Sequence, residues 1–290
     1  MIIVTGATGQ LGGTIVRKLL DRVPATRLGV SVRDPDLAAD LEALGVRVRQ
    51  GDYDDRDSLR NAFEGCSRLL LVSSNAAASG GDPLVQHRTV IDVACEIGIG
   101  RIVYTSHMAA SASSAFPPML DHAATEAMLD RSGLAWTALR NGFYASSGIM
   151  LMGDALKTGE IEAPEDGKVS WTAHADLAEA AAIILEGNGR YDGPTPPLTV
   201  SEALDLGDLA NIASELTGRA VRRKTLSDDV FRAKMTERGV PPRSLNFALG
   251  LYLASRRGEF ASVDPTLEQL LRRPPTKMQD LIAETIGRAR

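Results

Sequence analysis

The sequence holds only two cysteines in 290 residues, Cys66 and Cys95, and they form no CxxC pair. That removes a disulfide framework and a dithiol redox motif, and leaves free thiols of the kind cytoplasmic proteins carry. There is no basic surplus either, since 32 lysines and arginines face 37 aspartates and glutamates for a net charge of −5. Nucleic acid demands a cationic face, so no such partner is expected. No apolar run approaches membrane-spanning length, and a strand starting at residue 2 leaves no room for a signal peptide. A cytoplasmic protein with no membrane partner and no metal site is the expectation. There is no internal repeat, and the small-residue stretches at 76–81 and 111–115 are short enough to be loops.

What is present is a chain long enough for one large α/β domain, or one domain with an appendage. Its first stretch organises the rest. Ile2-Ile3-Val4 runs into a loop with glycines at 6, 9 and 12, and Leu11, Ile15, Val16, Leu19 and Leu20 then share one helical face. Strand, glycine turn and helix in that order is the context of a dinucleotide-binding loop. Gly6 turns the chain off the strand, Gly9 admits a pyrophosphate to the backbone, and Gly12 lets the helix pack close. The phosphates then meet a helix N-terminus, where unpaired N–H groups favour anions.

Strand-like and helical runs alternate through residue 140. Strands are expected at 27–32, 46–50, 69–72, 101–105 and 135–139, with helices at 37–44, 58–63, 83–97 and 120–129. Asp82-Pro83 supplies a cap and a first-turn proline for the third of these helices. Six strands joined by helical crossovers make a Rossmann-type, doubly wound parallel sheet. Ligands of such sheets bind beyond the carboxyl ends of the strands, so the residues just after each strand carry the function. The second half adds a strand at 168–172, a helix at 176–185, further α/β structure from 198–200, a helix near 206–216 and 221–225, and mostly helix beyond Asp228; Arg219, Arg222, Arg223 and Lys224 read as a solvated strand face. Gly187 to Pro194 is its clearest punctuation.

Arg33 follows the second strand, where an arginine suits the 2′-phosphate of NADP and an acid would suit NAD; Asp34 stands beside it. Asp52 follows the third strand, as an acceptor for an adenine amino group or as a turn cap. Ser73, Ser74 and Asn75 follow the fourth. His87 lies on the inward face of the next helix, pointing to a cofactor or serving as a core histidine. Thr105 and Ser106 follow the fifth strand, and Asn141, Gly142, Phe143 and Tyr144 follow the sixth. A Tyr-x-x-x-Lys pair is excluded: Tyr53, Tyr104, Tyr144, Tyr191 and Tyr252 are followed four places on by Asp57, Met108, Gly148, Thr195 and Arg256. In its place His122 and Glu126 stand one helical turn apart, with His122 open to a ribose-positioning, proton-donating or merely helix-capping role.

The segments Val4-Thr5-Gly6-Ala7-Thr8-Gly9-Gln10-Leu11-Gly12, Val32-Arg33-Asp34-Pro35, Gln86-His87-Arg88, Tyr104-Thr105-Ser106, His122 with Thr125-Glu126, and Leu139-Arg140-Asn141-Gly142-Phe143-Tyr144 occur in order. Together they make the chain resemble the NmrA-like branch of the atypical short-chain dehydrogenases, closest to its bacterial quinone reductase and triphenylmethane reductase group. The resemblance implies an NADP-binding Rossmann domain over 1–142, to which the chain returns around 168–190. It also implies a smaller α/β substrate domain over 143–290, helical at its C-terminus, with the active site in the cleft between them. NADP(H) would lie along Gly6, Thr8, Gly9, Gln10, Leu11, Gly12, Arg33, Asp52, Ser73, Ser74, Asn75, His87, Thr105, Asn141, Gly142 and Phe143. Catalysis would proceed without the tyrosine–lysine pair, with Ser106, His122, Asn141, the Gly142 backbone and Tyr144 as donors or positioners. His122 stands where some relatives carry a catalytic lysine. Phe143, Tyr144 and Met119 would wall a flat quinone-like or aromatic acceptor. A non-catalytic NADP(H)-sensing regulator and a reductase of specialised-metabolite carbonyls are the alternatives, and a homodimer is an open assembly.

Overall fold

Ile2–Thr5 forms β1, buried along its whole length because helices cover both faces of the sheet. The chain leaves it through Gly6, at φ +61°, and enters α1 (Gln10–Leu20). Then follow β2 (Leu28–Val32), α2 (Ala39–Ala43), β3 (Arg47–Gln50), α3 (Arg56–Ala62), β4 (Arg68–Leu71) and α4 (Pro83–Glu96), the last capped by Asp82 on the Leu84 and Val85 amides. Next come β5 (Arg101–His107), α5 (Pro117–Asp130) and β6 (Ala135–Asn141). An excursion through β7 (Phe143–Tyr144), α6 (Ala145–Leu151), α7 (Ala155–Thr158), β8 (Glu160–Pro164) and β9 (Trp171–Thr172) precedes α8 (His174–Glu186) and β10 (Gly193–Pro194). The remainder is α9 (Leu206–Thr217), β11 (Arg222–Leu226), α10 (Asp228–Glu237), α11 (Pro242–Arg256), α12 (Thr266–Leu271) and α13 (Met278–Arg288). This computed structural model describes residues 1–187, 189 and 191–288, so Asn188 and Arg190 of the punctuation stretch lie outside the described residues.

The chain divides into two compact units, Met1–Ala110 with Asp121–Asn141 and His174–Pro196, and Ser111–Leu120 with Gly142–Ala173 and Pro197–Arg290. The first carries a seven-stranded sheet in the order β3-β2-β1-β4-β5-β6-β10, every pair parallel. The order reverses between β1 and β4, the switch point where doubly wound sheets bind ligands. On one face Ile3, Leu69, Leu71, Ile102 and Tyr104 pack against Leu59, Phe63, Val90, Ile91 and Leu129. On the other, α1 and α8 lie together, with Arg22 and Glu186 paired at 3.1 Å along their edge.

Six strands were expected and seven are present. The seventh, β10, lies within the stretch read as punctuation, and Pro194 is tolerated there because an edge strand has no further neighbour to which it must donate. The second unit departs further. Residues 198–200 form no strand, and the strand expected at 168–172 shortens to Trp171–Thr172, paired with β7. β11 pairs parallel with β8, but Arg223 does not face solvent: its side chain is only 13% exposed and donates to the Ile161 and Pro164 carbonyls and to Asp166. No helix among the described residues is long and apolar enough to cross a membrane.

The tightest approach in the first unit is that of α1 to the turn before it. A Cβ on Gly12 would sit 2.3 Å from the Gly6 carbonyl oxygen and 2.8 Å from its carbon, both backbone atoms that cannot swing aside. Gly12→Ala gains at most about 1 kcal/mol of helix propensity, less than the cost of such overpacking. It should lower unfolding free energy by about 1–3 kcal/mol in urea titrations. An unchanged midpoint would mean that α1 is free to shift.

Candidate cofactor and active site

Seen from the carboxyl edge of the sheet, α1 begins at Gly9 with no side-chain cap and no acidic residue in its first turn. Its N–H groups therefore keep their capacity for an anion. Thr8, Gly9 and Gln10 are exposed, whereas Leu11 is buried in the core. Arg33, just past β2, is exposed and makes no ion pair among the described residues. Its acidic neighbour Asp34 is engaged elsewhere, accepting from the Asp36 amide at 3.1 Å. Past β3, Asp52 accepts from the Asp54 amide at 3.1 Å, which is the turn-capping alternative.

The loop after β4 is held from two sides. Ser73 N–H donates to Thr105 Oγ1 and Ser74 N–H to His87 Nε2, both at 2.8 Å. His87 is buried, and its Nδ1 lies 2.8 Å from Thr125 Oγ1. Both ring nitrogens are thus committed inside the protein, which is the core-histidine alternative. Thr105 is likewise a buried brace for the loop.

β5 and β6 both run two residues further than expected, so Ser106 lies within a strand, in register with Arg140. Ser106 Oγ donates to Glu126 Oε1 at 2.6 Å, and Arg140 clamps the same carboxylate through Nε at 3.2 Å and a terminal nitrogen at 2.7 Å. Ser106 is buried, and its hydroxyl is engaged with Glu126. Glu126, expected beside His122, instead ties α5 to two strands through a bidentate pair that sequence spacing does not reveal. His122 Nδ1 meets the Tyr104 hydroxyl at 2.8 Å, and its ring lies 6.1 Å from that of His107. Burial, with a smaller push from His87, lowers the His122 pKa to about 3. Burial alone dominates at His87, lowered to about 4, and burial then His122 hold His107 well below its ordinary value. All three imidazoles are neutral at pH 7. Asn141 ends β6 buried, its Oδ1 without a partner among the described residues.

In the second unit, Gly142 N–H donates to the Leu198 carbonyl at 2.9 Å, so it is not available to an oxyanion as expected. Its lack of a side chain is required, because a Cβ would lie 2.2 Å from Thr172 Oγ1. Phe143 is buried among rings, edge-on to Trp171 at 5.5 Å and Phe260 at 4.9 Å and stacked on Phe116 at 6.1 Å. Tyr144 precedes α6 and is half-buried; Met119 is buried. Tyr104 and Thr125, which sequence reading left unassigned, share the faces of Ser106 and His122 by strand and helix periodicity, the signal that was there to find.

Comparison with known proteins falls in line with this geometry. A family profile described as NAD(P)H-binding matches residues 6–186. Quinone oxidoreductase 2 of Escherichia coli is 35% identical over 286 residues, 98% of each chain. The chain belongs to the NAD(P)H-binding, NmrA-like family. The crystal structure of an E. coli NADPH-dependent quinone oxidoreductase with NADPH superposes with a TM-score of 0.91 at 33% identity, covering 99% of this chain and 100% of that one. The Citrobacter triphenylmethane reductase complexed with NADP(H) gives 0.87 at 30% identity, covering 98% and 99%. As a member of this family, the protein is an NADPH-dependent oxidoreductase with a Rossmann fold.

The neutral imidazoles set a pH dependence of stability. His87 and His122 bind a proton near pH 6.5 when unfolded, but only near 4 and 3 when folded. Between those values the unfolded chain binds more protons. Stability is therefore full above pH 6.5 and falls as pH drops toward 4. His87→Gln should reduce the loss between pH 7.5 and 4.5 by about 2–3 kcal/mol, read from urea titrations at both pH values. An identical loss in variant and wild type would refute a titrating His87.

Proposed function

We propose that the protein transfers reducing equivalents from NADPH to a quinone or a similar flat, conjugated acceptor. The observation that carries this reading is the neutrality of every histidine at the carboxyl end of β5, in a chain without a tyrosine–lysine pair. No strong acid stands ready to protonate an alkoxide, so the acceptor has to be one whose reduced form is a weak base. A quinone that takes up a hydride becomes a hydroquinone anion, which collects its second proton from water.

The dinucleotide would lie along the glycine loop of residues 6–12, with its pyrophosphate at the start of α1 and its 2′-phosphate on Arg33. The close approach at Gly12, the uncapped N-terminus and the unpaired guanidinium fit that group. Bound there it supplies a hydride and nothing more. Asn141, with a buried unpartnered Oδ1, fits an acceptor at the nicotinamide end, and the neutral His122 fits a hydrogen-bonding positioner. Tyr144, half-buried and next to the buried Phe143 ring cluster, fits an apolar wall for an aromatic acceptor in the second unit. The cytoplasm is the proposed compartment, since Cys66 and Cys95 are both free thiols.

NADPH oxidation against a panel of quinones, triarylmethane dyes and ketones tests the proposal. Quinones and dyes should be reduced and simple ketones should lag; tight NADPH binding with no acceptor turned over would favour a sensor. Arg33→Ala should weaken NADPH binding by about 1.5–3 kcal/mol, the worth of a charge-assisted hydrogen bond. NADH binding should barely change, and equal losses for both cofactors would remove the 2′-phosphate assignment. His122→Ala should slow quinone turnover at saturating NADPH by about 10- to 100-fold, and a ketone by more. Complete loss with NADPH still bound would make His122 an essential acid.

A further inference from the structure

We propose that His87 is a positioning residue: locked in one tautomer by Thr125, it holds the Ser74 amide and so sets the loop that follows β4 for the dinucleotide. The tautomer follows from the chain of donors. Thr125 Oγ1 donates to the Asp121 carbonyl at 2.8 Å, so it meets His87 Nδ1 with a lone pair. Nδ1 therefore carries the proton, and Nε2 offers its lone pair to Ser74 N–H at 2.8 Å. The Tyr104 ring, edge-on at 5.4 Å, restrains the plane of the imidazole.

The same loop residue is gripped a second time from α4. Ser74 Oγ donates to Gln86 Oε1 at 2.5 Å and accepts from the Ala76 amide at 3.0 Å. The Gln86 amide is itself oriented, because its nitrogen donates to Asp54 Oδ2 at 2.7 Å. Amide and hydroxyl of Ser74 are thus both fixed by successive residues of one helix, while Thr105 fixes the amide before them. A loop held this way is ordered before any ligand arrives, which spares the entropy of ordering it on binding. The inference rests on the reading that NADP lies along the carboxyl ends of β1, β2 and β4. It assigns His87 to affinity for the dinucleotide and not to the chemical step.

The test compares His87→Leu, His87→Gln and Thr125→Val with wild type, using NADP+ titration calorimetry and steady-state quinone reduction. Leucine removes both hydrogen bonds, glutamine returns an acceptor within reach of Ser74, and valine removes only the tautomer lock. His87→Leu should raise the NADP+ Kd by about 10-fold or more, the scale of an amide left unpaired. At saturating NADPH its kcat should change by less than about 2-fold, because uniform binding alone is lost. His87→Gln should restore Kd to within about 3-fold of wild type, and Thr125→Val should fall between. Equal Kd values for His87→Leu and wild type would overturn the proposal. So would failure of glutamine to restore affinity, or a fall in kcat with Kd unchanged. Should His87→Leu not fold, a wild-type Kd in Thr125→Val would overturn it equally. Wild type failing to bind NADP+ would overturn the dinucleotide reading beneath it.

Discussion

The structure depends first on how closely α1 comes to the turn after β1. With the space beside the Gly6 carbonyl reserved for a glycine at position 12, the helix starts within one turn of the strand end. That contact aims the uncapped N–H groups of α1 at the switch point between β1 and β4. A bulkier residue would push the helix axis outward and carry its positive end away from the only edge where the strand order reverses. The sheet then follows from it: β1 is central, buried throughout, and paired on both sides.

A second constraint is electrostatic. The carboxyl end of β5 gathers the buried His87, Tyr104 and His107 with the half-buried His122, and desolvation strips the imidazoles of charge. The Glu126 carboxylate is held beside them by Arg140 and Ser106, which donate three hydrogen bonds to it. A buried ion pair of this quality adds little net stability, since desolvation offsets most of the attraction. Its effect is geometric: it joins α5, β5 and β6 at the level of Asn141. The result is a polar surround whose imidazoles are neutral, suited to hydrogen-bonding a reactant and unsuited to delivering a proton by force.

What could be read beforehand was local. Glycine spacing at 6, 9 and 12, the apolar runs of β1 to β6, the Asp82-Pro83 cap and the position of Arg33 all sit within short windows, where periodicity and capping chemistry act directly. What could not be read was non-local. Ser106, Glu126 and Arg140 meet only through the register of β5 on β6 and the facing of α5. The Gly142 amide goes to Leu198, a partner more than fifty residues on, so no inspection of the Asn-Gly-Phe-Tyr motif reveals that the donor is taken. β10 is hidden for a different reason. Two residues of glycine and proline read as a turn in any window, and only the free edge of β6 makes them a strand. Arg223 sits in a basic run that looks solvated, yet the carbonyls of β8 and the Asp166 carboxylate draw it inward.

These constraints bear jointly on which acceptors the fold can serve. In the tyrosine–lysine reductases a phenol of lowered pKa moves a proton as the carbonyl is reduced. Here the Tyr104 phenol is wholly buried and hydrogen-bonded to His122, and no lysine lies between Lys18 and Lys157 to assist it. A histidine can protonate an alkoxide effectively only from its imidazolium form, and burial holds the His122 pKa at about 3. Each pKa unit below the ordinary 6.5 adds about 1.4 kcal/mol to that state. Reduction of an unactivated ketone would meet that penalty at the chemical step. Reduction of a quinone avoids it, because aromatisation stabilises the anion and water suffices to protonate it. Loss of the catalytic pair and burial of the histidines therefore narrow the acceptor in the same direction, and what remains for the protein to contribute is alignment of two flat rings.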